Sequence, residues 1–202
     1  MSGPCWLTGD DPLMTAYHDQ EWGRPVTGER GLYERMCLEG FQSGLSWRTV
    51  LAKRPAFREV FAGFEPERVA AFGPDDVDHL LLDARIIRHR RKIEATITNA
   101  QALLALHQSG TQLRDLFWGY APAPSKARKP AALSELPATT PDATDLSKRL
   151  RKLGFAFVGP TTAYAAMQAC GIVNDHLTDC PFRAEVDKQR REALTRLGTR
   201  RR

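Results

Sequence analysis

The chain has 202 residues, of which 42% are hydrophobic and 8% aromatic, with 29 Lys+Arg, 24 Asp+Glu and four cysteines. That is enough apolar material for one compact domain or two small ones, and it excludes wholesale disorder. No apolar run reaches the roughly 18 to 20 residues of a bilayer span, and the opening MSGPCWLTGDDP lacks the basic and apolar blocks of a secretory signal, so a soluble, cytoplasmic protein is expected. In a reducing compartment its cysteines point to packing, nucleophilic chemistry or metal binding before disulfides. The net charge of +5 is uneven: residues 183–202 hold eight basic and three acidic side chains, and residues 1–182 carry 21 of each sign. The expected organisation is therefore a neutral body over 1–182 and a basic tail over 183–202.

Apolar residues recur at three- and four-residue steps while β-branched alternation is scarce, so the predicted fold class is all-α. Leu32, Met36 and Glu39 share one face, with Tyr33, Cys37 and Gly40 beside them, which predicts a helix over 29–40 closed by glycine. Ser46 is placed to cap a second helix through about Phe61, beginning with Trp47, Val50 and Leu51; Pro55 falls late in it as a kink or a division. Pro74, Asp75 and Asp76 suit the first turn of a helix running to about Leu82. Ile93, Ile97, Ala100 and Leu104 mark a long helix over about 89–107. The prolines between Ala121 and Pro141 predict an irregular strap. A helix over Ala143–Leu153 follows, ended by Gly154. Thr161 or Thr162 then caps another, with Ala163, Met167 and Cys170 on one face and Gly171 at its end. The tail extends as a charged helix from about Ala184 and frays at Gly198.

Four residues stand out for metal chemistry. Cys5 and His18 lie thirteen positions apart near the N-terminus, and His176 and Cys180 lie four apart near the end of the body. Two thiols and two imidazoles suit tetrahedral zinc, and the His-x3-Cys spacing lets both members of that half reach one ion. Spacing alone also fits four structural side chains. Cys37 and Cys170 sit on apolar helical faces and read as core.

Glu39 is turned by the helix period toward the core, three residues after Met36 and seven after Leu32. A buried carboxylate must be paired or hydrogen-bonded, so it either salts a buried arginine or lines a pocket. The next residues, Gly40-Phe41-Gln42-Ser43-Gly44-Leu45-Ser46-Trp47, form a short loop between two glycines that presents Leu45 at its tip and Trp47 at the next helix start. An acid, an indole and an exposed apolar wedge in one place suggest recognition of a flat heteroaromatic ligand. Tyr17 and Trp22 fit either core anchors or part of that surface. Farther on, Arg85, Arg88, Arg90, Arg91 and Lys92 crowd a tight connection between two predicted helices. Basic side chains and free backbone N–H groups at a helix start can grip phosphates.

Taken together these motifs resemble the DNA-3-methyladenine glycosylase I family, within the helix-hairpin-helix glycosylase superfamily. The resemblance runs from about Cys5 to Cys180. It is carried by Tyr17-His18-Asp19 with Glu21-Trp22-Gly23, Cys37-Leu38-Glu39-Gly40 with Gly44-Leu45-Ser46-Trp47, Ile86-Ile87-Arg88-His89-Arg90 with Lys92-Ile93, Gly154-Phe155 with Phe157-Val158-Gly159, and Met167 to Gly171 with Val173 to His176. It implies a helix-hairpin-helix fold and one structural zinc per chain on Cys5, His18, His176 and Cys180, joining the two ends of the body. It also implies excision of 3-methyladenine from alkylated double-stranded DNA; a monomer is the plain expectation. By motif match Glu39 meets the edge of the damaged base, Tyr17 and Trp47 pack on its faces, and Leu45 plugs the gap left by the flipped nucleotide. The family usually has glycines where this chain has Arg85 and Arg91, and an aromatic where it has Met14. No lysine stands beside the implied pocket as a Schiff-base nucleophile, Lys92 being the nearest, so the expected enzyme is monofunctional. The rival readings are a zinc-stapled DNA-binding module without excision activity and an RNA-directed hydrolase using the same pocket.

Overall fold

The computed structural model describes residue 5 and residues 11–198. Among the described residues all regular structure is helical, as the periodicity predicts, in ten α-helices with three short 3-10 turns. The hub is α2 (Glu29–Gln42), whose Leu32, Tyr33, Met36, Leu38 and Phe41 are all buried. A helix apolar on several faces must be covered on several sides. It packs against α3 (Trp47–Val60), α6 (Arg90–Gln108), α7 (Leu113–Trp118) and α9 (Pro160–Ala169). Helices α4 (Pro66–Ala70) and α5 (Pro74–Leu82) lie on α6, and α8 (Pro141–Lys152) lies on α9. Within the core Phe41, Phe57, Phe61 and Phe64 form a chain of rings 4.5 to 6.2 Å apart.

Local chemistry sets the boundaries. Ser46 caps α3 as expected, its Oγ accepting from the Thr49 N–H at 3.2 Å, and α3 runs on through Pro55. Helix α8 begins at Pro141 because Thr140 accepts from the Ala143 N–H at 3.1 Å. The cap of α9 is Gly159 with Pro160 in the first turn, and not Thr161 or Thr162. The sequence reading missed α1 (Pro12–Gln20), α4 and α7. Helix α1 has a weak apolar face and is started by Asp11, whose carboxylate accepts from the Leu13 and Met14 N–H groups at 3.0 and 3.4 Å. The other two span five and six residues, too short to show a period.

The last helix, α10 (Arg183–Leu197), carries the expected charge but is no loose tail. Val186, Ala193 and Leu194 are buried, and the buried Arg190 donates to the Gly171 and Ile172 carbonyls at 2.7 and 2.5 Å. Arg24 pairs with Glu185 at 2.7 Å. The fold thus continues past residue 182, and the terminal arginines 200–202 lie outside the described residues. No helix among the described residues is long and apolar enough to cross a membrane.

Candidate functional site

A cavity of about 150 Å³ opens beside the C-terminal half of α2, lined by Tyr17, Trp22, Glu39, Gln42, Trp47 and Gln168, with Ala165. Its size suits one base and not the several hundred Å³ of a drug-sized pocket. Four separate stretches of chain build it, and the sequence predicted Tyr17, Glu39 and Trp47 to meet here. The Tyr17 and Trp47 rings lie 5.3 Å apart at 46°, open like a book.

Glu39 is 5% exposed and, among the described residues, accepts no hydrogen bond. Burial pushes its carboxyl up to about 8, with the Arg35 charge one helical turn away opposing the rise. That resolves the two readings of a buried acid. Arg35 does not neutralise it by contact, because its guanidinium pairs with Glu21 at 3.0 Å and sits 5.8 Å from the Tyr17 ring centre. Glu21 is further clamped by Arg54 through two bonds of 2.6 and 2.7 Å. The Trp47 indole Nε1 is also buried without a partner. Buried polar groups are rarely left unpaired, so an acid and an indole N–H facing one cavity mark a site that a ligand completes. Tyr17 stays a neutral phenol, since burial and then the neighbouring Glu39 carboxyl push its pKa far up. Gln42 and Gln168 went unnoticed in sequence. Gln168 donates to the Asp175 carboxylate at 2.9 Å, which fixes its amide at the pocket wall.

The four proposed metal ligands converge. Cys5, His18, His176 and Cys180 are buried with their ligand atoms within 4.8 Å of one another. Cys180 Sγ lies 3.3 Å from His176 Nδ1 and 3.7 Å from His18 Nε2, and Cys5 Sγ lies 3.8 Å from His176 Nδ1. The outward nitrogen of each ring has an oxygen beside it: His18 Nδ1 meets Asp19 at 2.7 Å and His176 Nε2 meets the Trp22 carbonyl at 3.2 Å. Burial, then the His18 charge, push His176 down to about 4, so it is neutral at pH 7.

The loop after α2 exposes Leu45, 43% accessible, behind Gly44 at φ +81, a backbone state that favours glycine. Lys92 holds this loop. Its ammonium is buried and donates to the Phe41 and Ser43 carbonyls at 2.8 and 2.6 Å. The expectation that Lys92 contacts DNA is therefore corrected: it is buried and faces inward, bound to two carbonyls. Arg85 is exposed but bound to Glu59 at 2.9 Å and to Asp83 at 2.8 Å, and Arg90 is bound to Asp78 at 2.5 Å. Arg88 and Arg91 are exposed with no ion pair among the described residues. The connection between α5 and α6 is rigid, because Lys53 donates to the Ala84 and Arg85 carbonyls at 2.9 and 3.1 Å and Ile86 is buried.

A second cavity, of about 190 Å³, lies between the strap and α10, lined in part by Lys129, Arg183, Asp187 and Arg190. Its buried guanidiniums are committed to carbonyls, Arg183 to those of His176 and Arg128. The exposed Lys129 and Arg191 also line it.

The methyladenine glycosylase family matches residues 6–184. DNA-3-methyladenine glycosylase 1 of Escherichia coli K12 is 48% identical over 176 residues, covering 87% of this chain and 94% of that protein. A crystal structure of 3-methyladenine DNA glycosylase I superposes with a TM-score of 0.85 at 48% identity, over 89% of this chain and 98% of that one. The Staphylococcus aureus enzyme, solved to define 3-methyladenine recognition, superposes with a TM-score of 0.84 at 36% identity, over 89% and 95% of the two chains. A match across nearly the whole chain makes this protein a member of the methyladenine glycosylase family.

Proposed function

We propose that the protein excises 3-methyladenine from alkylated duplex DNA by hydrolysing the N-glycosidic bond, acting as a monomer and starting base excision repair. The observation that carries this reading is Glu39, a buried carboxylate without a hydrogen bond at the floor of a base-sized cavity. Alkylation at N3 makes adenine a cation. An ionised Glu39 distinguishes that cation from neutral adenine, and the Trp47 and Tyr17 faces add cation–π attraction of about 0.5 to 2 kcal/mol. The glycosidic C–N bond then breaks with its electron pair passing to the base, which leaves neutral, and water adds to the sugar carbon and loses a proton to solvent. Glu39 is the only acid lining the cavity among the described residues, so the paired carboxylates of common glycosidases are missing. The charged leaving group makes them unnecessary. Among the described residues no lysine lines the cavity and Lys92 is bound to two carbonyls, which supports hydrolysis without strand cutting.

The cluster on Cys5, His18, His176 and Cys180 fits structural zinc. Its donor set is right, and four protein ligands close the site. Each imidazole has its far nitrogen beside an oxygen that can take the N–H, which leaves the near nitrogen's lone pair for the ion. Zinc there supplies cross-linking and no catalysis.

DNA is held in this reading by Leu45 in the vacated stack, with Arg88 and Arg91 on phosphates and the rigid α5–α6 connection as a helix-hairpin-helix element. Leu45→Ala should fold normally, since the side chain is half exposed, yet bind abasic-site duplex more weakly, by about tenfold. Thermal melting and a binding titration check this; a large stability loss with unchanged affinity would show ordinary packing. Neutralising Arg88 and Arg91 together should flatten the plot of log affinity against log salt by about 1.8, at about 0.9 per phosphate contact. An unchanged slope would remove both from the interface. The test of the whole reading is release of free 3-methyladenine from methylated duplex. Binding without release would favour the DNA-binding module.

A further inference from the structure

Phe157 is held in a conformation that its own packing does not explain. Its φ is +54, in the left-handed region that costs a bulky residue about 1 to 3 kcal/mol. Phe64 shares that state at φ +57, but its side chain is wholly buried in the aromatic core, and burial accounts for it. Phe157 is 38% exposed and gains no such return.

The strain is nonetheless enforced from both sides. Ahead of it, the buried Asn99 grips Ala156 twice, donating to its carbonyl at 3.1 Å and accepting its N–H at 2.7 Å. Behind it, the fully buried Ser147 donates to the Val158 carbonyl at 2.6 Å. Beneath it, the Phe157 backbone rests on α2 at Gly40, where a Cβ would be in ordinary contact, 3.4 Å from the Phe157 Cβ and 3.5 Å from its carbonyl oxygen. Three helices thus fix one exposed ring. The ring stands edge-on to His89, 6.4 Å between centres, at the start of α6. Gly40 follows Glu39 directly, and Lys92, which holds the Leu45 loop, lines the same crevice as Gly40 and Phe157.

We propose that Phe157 is a second apolar DNA contact, stacking on a nucleobase exposed when the damaged nucleotide is extruded. The ring meets His89, next to Arg88 in the hairpin, and shares a crevice with Lys92, which holds the Leu45 loop, so it adjoins both elements. This inference rests on the glycosylase reading of the site. Strained backbone that is over-determined by buried clamps is a mark of functional positions.

The test uses the full chain and a duplex with an abasic-site analogue and 2-aminopurine opposite it or one step away. The wild type should quench or shift the 2-aminopurine emission at one of these positions. Phe157→Leu keeps apolar bulk and loses the ring, so it should lose that signal and bind the duplex about tenfold more weakly. Phe157→Tyr should restore both. Phe157→Gly, which adopts φ +54 freely, should show the same binding loss as Phe157→Leu and so separates ring loss from strain. Free 3-methyladenine affinity should not change in any of them. Unchanged emission and duplex affinity in Phe157→Leu and Phe157→Gly, with wild-type release of 3-methyladenine intact, would overturn the Phe157 assignment alone. Absence of release from the wild type would instead overturn the glycosylase reading.

Discussion

Replacing Glu39 with glutamine should lower kcat/KM for excision of 3-methyladenine by about 30-fold or more, the scale of removing one partner from a buried charge pair. The reason lies in what surrounds the carboxyl. It is buried, lacks a hydrogen bond, and faces only Arg35 and the neutral Tyr17 among ionisable groups that shift it or touch its cavity. A cationic base entering the pocket is thus the first strong partner it meets. Burial has pushed the free-enzyme value up to about 8, so at pH 7 most of the empty protein carries the uncharged acid. The ionised form is the one that favours the cation. Wild-type kcat/KM should therefore climb as pH rises toward about 8 and level off above it, since this quotient reports the free enzyme. Glu39→Gln should remove the climb.

Stability should move the opposite way. A carboxyl whose folded value lies above its unfolded value near 4.5 makes the folded state bind the extra proton, so stability is full below pH 4.5 and is lost as pH rises through about 8. The loss is on the order of a few kcal/mol. The glutamine variant should therefore melt higher than the wild type at pH 9, with the gap closing toward pH 4.5. A pH-independent kcat/KM in the wild type, or equal melting at both ends, would show that Glu39 is not the discriminating acid.

The carboxylate was legible in sequence because its register with Leu32 and Met36 turns it inward, and helical registers survive folding. The basic cluster was misread for the same reason in reverse. A linear run of charge says nothing about direction, whereas Lys92, Thr96 and Asn99 fall four and three residues apart on α6, and all three are buried. That polar stripe faces α2 and the 155–158 segment, where it ties down the Leu45 loop and Ala156. Arg90 could not be sorted from Arg88 and Arg91, because its partner Asp78 belongs to another helix, and Arg85 joins the local Asp83 to the distant Glu59. Gln42 and Gln168 meet across 126 positions of chain, and no local pattern joins them. The tail was read by its charge, yet Val186, Ala193 and Leu194 give α10 a buried face at the steps of a helix.

Removing one metal ligand should have the largest effect on stability. Cys5 and His18 come from the N-terminal segment and α1, His176 and Cys180 from the turn before α10, so the ion would close a loop of more than 170 residues. Around the cluster, Leu177 and the partly buried Phe182 are the apolar neighbours of Cys5 and Cys180. Metal binding to a site absent from the unfolded chain adds directly to folding free energy. Cys180→Ala should reduce bound zinc from one per chain to near none and lower the melting temperature by about 10 °C or more, at about 2 to 4 °C per kcal/mol for a protein of this size. Cys37→Ala is the matched control. That thiol is also buried, but it contacts Asn99 in the core and not the cluster, so its loss should cost only a small cavity and leave zinc bound. Below its melting temperature Cys180→Ala should still bind 3-methyladenine but more weakly, because Glu39 and Trp47 stand on α2 and α3, outside the segments the ion joins, whereas Tyr17 adjoins His18 on α1. Elemental analysis with thermal melting decides the matter. A well-folded wild type without stoichiometric zinc, or a Cys180→Ala protein that keeps its metal, would dismiss the metal centre and leave the four residues as packing.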